Sequence, residues 1–216
     1  MFSPSFVSTR PPSFVIFKVM NLLPDGVSAE DLFRANEFIA RGDYEKAIRL
    51  LELLVADDPT ESSALAALGI AFTESGEHGK ALKALLRAID LKEDDPDAHE
   101  ALGCAYFRLK EYEKAERHLE RARELSPADG GILRNLGVVR NQMGDWEEGT
   151  RLIERAFDLN KWDYQAVYAL ASVRLRQGEL GEAINLLERV ADEDSPMDLK
   201  VLAIDHVKNL KRYLRA

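Results

Sequence analysis

Residues 96–129 read PDAHEALGCAYFRLKEYEKAERHLERARELSPAD. Leu102, Tyr106 and Leu109, then Ala115, Leu119 and Ala122, fall three or four apart, the spacing of one face of an α-helix. Lys110 separates the two runs, and Pro127 follows the second, where a proline interrupts no helix interior. The stretch reads as two helices joined by a tight turn.

Moving outward from it at one fixed period, the same pattern returns. Small residues recur at Ala35, Gly69, Gly103, Gly137 and Ala171, and again at Ala47, Ala81, Ala115, Gly149 and Ala183. A third column, Gly42, Gly76, Lys110, Gly144 and Gly178, marks the turn. Leucine or isoleucine fills a fourth at Leu51, Leu85, Leu119, Ile153 and Leu187, and Leu68, Leu102, Leu136 and Leu170 make a fifth, with Arg34 out of pattern. Independent columns on one spacing define an internal repeat. Five units follow, 28–61, 62–95, 96–129, 130–163 and 164–197, leaving a head over 1–27 and a tail over 198–216.

The columns have local physical meanings. Glycine at the turn supplies the left-handed backbone that ends the first helix, and Asp43 and Asp145 directly after it are expected to cap the second. Small residues in the other columns let neighbouring helices approach closely. The tail carries Leu199, Leu202, Val207, Leu210 and Leu214 on one stripe and reads as a helix that covers the apolar face of the last repeat. Its basic end, Lys208, Lys211, Arg212 and Arg215, suits the helix dipole.

This pattern resembles the tetratricopeptide-repeat family over residues 28–197, most closely in the third unit, where Leu102, Gly103, Tyr106, Ala115, Leu119, Ala122 and Pro127 stand at the family's positions. Departures occur where the family favours an early tryptophan, which is Asp31, Leu65, His99, Leu133 and Val167 here, and where a mid-helix aromatic becomes Arg140 and Arg174. The resemblance implies an all-α, right-handed superhelix of five hairpins with a terminal capping helix. Its inner wall would be built from the first helix of each unit and would hold a peptide.

Composition excludes several classes of function. With 46% hydrophobic and 31% charged residues the chain has material for a folded core. A net charge of -9 argues against attraction to nucleic-acid phosphates. The single Cys104 rules out an intrachain disulfide or a cysteine-based zinc site and is compatible with a reducing, cytoplasmic setting. The apolar run from Phe14 to Leu23 is too short to span a membrane and is interrupted by Lys18 and Asn21. Lys18, with Pro11 and Pro12 before the run, also weakens a reading of the head as a secretory signal ending at Val27-Ser28-Ala29.

No catalytic motif is present, and no enzyme, cofactor or metal is expected. Gly76-Glu77-His78-Gly79-Lys80 imitates a phosphate loop, but the glycines are too close and Ala81 replaces the magnesium-binding hydroxyl. His78, His99, His118 and His206 show no paired ligand spacing, so packing roles are expected of them. The carboxylates of Glu113, Glu116 and Glu120 interleave with Lys114, Arg117 and Arg121 as on a solvated helix face.

Binding is the remaining expectation. The first helices of units four and five, 130–143 and 164–177, hold no Asp or Glu in 28 residues, where the chain-wide share of 38 in 216 predicts about five. They carry Arg134, Arg140, Arg174 and Arg176, while the second helices carry Glu147, Glu148, Glu154, Glu182 and Glu188. Arg108 extends the basic strip, and Asn135, Asn141, Gln142 and Gln165 add amides able to bond a peptide backbone. Since arginine's planar fork can hold a carboxylate with two bonds, the strip reads as a groove for a peptide bearing Asp, Glu or a free C-terminus. The alternative is that these arginines pair with carboxylates of neighbouring helices.

In the N-terminal half, Leu32, Phe33, Ile39, Ile70, Thr73, Cys104 and Phe107 are expected to form an apolar trough, with Leu32, Ile39 and Cys104 equally readable as core. The family's clamp for chaperone C-termini is absent: Asn36 is present, but Leu32, Ala67, Asp97 and Ala101 occupy the companion places. The reading is a non-catalytic adaptor, assembly scaffold or escort that binds a protein or peptide. The second is a self-assembling homo-oligomer whose groove takes the head segment, with its Phe14-Val15-Ile16-Phe17 run, from its own chain or a neighbour's.

Overall fold

The structure, a computed structural model, describes residues 29–192 and 195–214. The head, and with it the self-docking reading and the disfavoured signal reading, lies outside the described residues. Eleven helices and no strands occur among the described residues. The chain divides into two compact units, one ending at Pro127 and the other beginning at Ala128, a division that the unbroken period of the sequence does not announce.

The first unit contains α1 (Ala29–Ala40), α2 (Tyr44–Asp57), α3 (Ser62–Glu74), α4 (His78–Leu91), α5 (Pro96–Arg108) and α6 (Tyr112–Leu125). The second contains α7 (Gly130–Met143), α8 (Trp146–Leu159), α9 (Tyr164–Gln177), α10 (Leu180–Val190) and α11 (Met197–Tyr213). In each unit helices pair as hairpins, and each hairpin packs on the next.

The turn column behaves as one motif. Gly42, Gly76, Gly144 and Gly178 have φ between 78° and 94°, and Lys110 adopts φ 62° in the same place. After each, the next amide reaches back to the first helix: Asp43 N–H to the Phe38 carbonyl at 2.8 Å, Glu111 to Tyr106 at 3.0 Å, Glu179 to Arg174 at 2.9 Å. This six-to-one bond satisfies a carbonyl that the helix end would orphan. Lys110 is the only non-glycine residue at positive φ among those described.

Close approach explains the small columns. A Cβ added to Gly103 would lie 2.6 Å from Leu119 Cγ, and one added to Gly137 would lie 2.7 Å from the Gly149 carbonyl oxygen. Leu51, Leu85, Leu119, Ile153 and Leu187, on the second helices, are fully buried against this strip.

The capping carboxylates differ from expectation. Asp43 makes no side-chain cap and instead accepts Lys46 Nζ at 2.7 Å. Asp145 does accept the Glu148 amide, at 3.4 Å. The strong caps are on the first helices: Asp95, Asp129 and Asp163, which share one place in successive repeats, each accept two backbone amides at the starts of α5, α7 and α9.

The tail helix α11 packs on α10 and α9, burying Leu199 and Ala203. Tyr168 on α9 stacks on His206 of α11. The outward side of α11 leaves Met197, Val201 and Ile204 exposed. In the repeat register Val201 and Ile204 correspond to Leu133 and Leu136 of α7, which are fully buried beneath α8. The terminal helix thus covers one apolar face and presents another.

Candidate protein-binding surfaces

In the first unit the expected trough is mostly core. Leu32, Ile39, Thr73, Cys104 and Phe107 are buried, and the Phe107 ring lies 5.6 Å from that of Tyr112. Thr73 spends its hydroxyl on the Gly69 carbonyl at 2.8 Å. Phe33 and Ile70 are partly buried and keep accessible surface. Arg108 Nη2 bonds both oxygens of Glu74, at 3.0 and 3.2 Å, across one repeat.

In the second unit Arg134 is 4% exposed and lies among helices. Its Nη1 reaches Asp163 Oδ2 at 2.7 Å, and its Nε donates to Asn135 Oδ1 at 3.3 Å; Asn135 is itself buried. Burying a guanidinium is tolerable only with such partners. Arg140 Nη1 lies 3.1 Å from Asp145 Oδ2. Arg174 is held by Glu154 at 2.9 Å, Glu182 at 3.0 Å and Glu179 at 3.2 Å. Burial works against its charge, but the bonds from Glu182 and Glu154 outweigh it and raise its pKa above the ordinary arginine value. Arg176 is exposed and stacks on Trp146 of α8.

The structure therefore brings Arg134 and Asn135 together below the surface, ties Arg140 and Arg174 to carboxylates, and leaves Arg176 and Gln142 exposed. Asn141 is 9% exposed, with its carboxamide packed against Gly149. The side-chain oxygens of Asn141 and Gln165 are buried and have no hydrogen-bond partner among the described residues.

His99 and His118, which the sequence leaves apart, meet. Their Nδ1 atoms are 3.2 Å apart, the rings stack, and His99 Nε2 lies 3.0 Å from the Glu93 carbonyl. Burial, then His99, then Arg117 push the His118 pKa down to about 4. The signal was available: in this register the second, fourth and fifth repeats carry Leu65, Leu133 and Val167 on the first helix and Ala84, Leu152 and Leu186 on the second. No cluster of three or more His, Cys, Asp or Glu side chains placed to hold a metal, and no helix long and apolar enough to cross a membrane, occurs among the described residues.

Three family profiles match the sequence. One described as anaphase-promoting complex, cyclosome, subunit 3 covers residues 40–122, and two tetratricopeptide-repeat profiles cover 100–148 and 141–196. The chain belongs to the tetratricopeptide-repeat family, whose members are protein-interaction modules. Among solved structures, the thermophilic TPR protein TTC0263 of Thermus thermophilus is similar with TM-score 0.74 and 21% identity, over 82% of this chain and 96% of that one. The Pseudomonas aeruginosa pilF protein matches with TM-score 0.64 and 20% identity, over 84% and 85%. MamA from Desulfovibrio magneticus RS-1 matches with TM-score 0.59 and 21% identity, over 74% and 93%. At such identities the likeness concerns the fold. No curated protein matches the sequence.

Proposed function

We propose that the protein is a non-catalytic, cytoplasmic adaptor or scaffold that binds an acidic or carboxylate-bearing peptide on the α7 and α9 side of its second unit. The observation that carries the reading is the charge of those two adjacent helices: four arginines and no carboxylate in two 14-residue segments of a chain of net charge -9. Arg176 and Gln142 offer exposed contacts, while Arg140 and Arg174 are already held by Asp145 and by Glu154, Glu179 and Glu182 and would bind an incoming carboxylate by exchanging those partners. Arg134 and Asn135 are buried beneath the two helices, Arg108 belongs to the Glu74 pair, and Phe33 and Ile70 keep accessible apolar surface in the first unit, where Phe107 is buried.

The test is charge reversal at Arg140 and Arg176, not at the buried Arg134. The double variant should keep its helical circular dichroism and lose binding to acidic peptides. Unchanged affinity contradicts the reading.

A second reading, self-association, is favoured by the exposed Met197, Val201 and Ile204 of α11. Light scattering of the full chain, of a deletion of residues 2–19, and of a Val201→Glu, Ile204→Glu variant distinguishes docking by the head from docking through α11. A monomer at all concentrations removes both.

A further inference from the structure

We propose that His99 and His118 form a two-histidine chelating site for a divalent transition-metal ion of zinc-like chemistry, on the hairpin of α5 and α6. The position is unusual within the chain's own repeat. In the same register the second, fourth and fifth repeats carry apolar residues, Leu65 and Ala84, Leu133 and Leu152, Val167 and Leu186, all of them buried. Only the third repeat places two imidazoles there.

Their separation suits a chelate. Two nitrogens bound at about 2.05 Å to one tetrahedral zinc lie about 3.3 Å apart, and the two Nδ1 atoms are separated by 3.2 Å. The backbone fixes the tautomer of one ligand. The Glu93 carbonyl can only accept, so His99 Nε2, 3.0 Å away, carries the proton and donates it. Neutral His99 therefore aims an Nδ1 lone pair at His118, with its outer nitrogen anchored as metal-ligating histidines usually are. Without metal, His118 Nδ1 donates into that lone pair. With metal, this proton moves to His118 Nε2 through solvent, the two rings tilt so that both Nδ1 lone pairs converge on an ion beside the line joining them, and no net proton is released. His118 is half-buried, which leaves a side for entry, and Tyr106 stacks on its ring at 5.6 Å and restrains its plane. Water completes the coordination.

The probe is zinc chloride added to the full chain, followed by titration calorimetry and by long-range proton–nitrogen NMR of the imidazoles. The expected result is saturable one-to-one binding at sub-millimolar zinc, with the Nδ1 signals of His99 and His118 moving to metal-bound values. His118→Leu installs the residue that α8 and α10 carry in this register, and His99→Leu the residue of α3 and α7. Each should weaken zinc binding at least tenfold while keeping helical circular dichroism. Should a variant fail to fold, the NMR assignment on the unaltered chain still decides. No saturable binding up to millimolar zinc, unchanged binding in both variants, or metal-induced shifts confined to His78 or His206 would overturn the proposal.

Discussion

Arg134 and Asp163 form a 2.7 Å ion pair between the first helix of one repeat and the start of the next. Asp163 uses its two oxygens separately: Oδ2 takes the guanidinium, and Oδ1 accepts the amides of Gln165 at 2.9 Å and Ala166 at 3.3 Å. One carboxylate thus caps α9 and compensates a charge buried in α7.

Asp95 likewise caps a first helix, but its other oxygen takes the exposed Lys92 ammonium at 2.9 Å where that of Asp163 takes a buried guanidinium. Asp95→Ala should cost about 1 kcal/mol, the value of a cap. Asp163→Ala should cost about 3 kcal/mol or more, because it also strips a buried charge of its partner. Urea denaturation of both variants checks the difference, and equal losses would show that the pair contributes little.

At the third turn, Lys110 holds a conformation that its four counterparts fill with glycine. Lys110→Gly should raise stability by about 1 kcal/mol by removing the left-handed penalty. Gly76→Ala should lower it by about 1 kcal/mol. The denaturation midpoints should move in opposite directions with similar slopes.

Helix contact at Gly103 leaves no room for a methyl group, which would lie 2.6 Å from Leu119 Cγ and 3.1 Å from the Ala115 carbonyl. Gly103→Ala should therefore destabilise by about 1–3 kcal/mol, although alanine is the better helix former. A melting temperature at or above that of the unaltered chain would mean that α5 and α6 separate without cost.

The histidine pair imposes a pH dependence. His118 titrates near 4 in the folded protein and near 6.5 unfolded, so the unfolded chain binds more protons between these values. Stability is full above pH 6.5 and declines as the pH falls towards 4. The groups facing His118 are His99, Arg117 and Tyr106, the last beneath Lys114 Nζ. His118→Leu should flatten the stability profile over this window in equilibrium unfolding measured at several pH values in the absence of metal.

Much of the fold was legible because each column reports backbone or packing geometry that every copy of the repeat must satisfy. Gly69 and Gly103 announce close helices, and Gly42 and Gly178 announce turns. Two further columns were equally regular and yielded their meaning only in three dimensions. Asp95, Asp129 and Asp163 are caps, and the arginines at 87, 121 and 189 reach back to the preceding loop, Arg87 to the Pro59 carbonyl at 2.6 Å and Arg189 to the Lys161 carbonyl at 2.7 Å. Charge on the candidate surface was the less legible part. Arg134 and Arg176 look alike in sequence, yet one is buried on Asp163 and the other stacks at the surface on Trp146. The difference depends on a carboxylate that caps the following hairpin. The His99–His118 contact was legible only through the repeat register, because metal-ligand spacing along the chain says nothing of residues that two helices bring together.

The central claim, recognition of acidic peptides by the second unit, is tested most directly from the ligand's side. An array of decapeptides bearing Asp and Glu, paired with counterparts in which each is replaced by Asn or Gln, can be probed with the full chain at physiological salt. Acidic members should be retained, their amide counterparts should bind at least tenfold more weakly, and the difference should shrink as salt rises. Equal retention of both sets would contradict it.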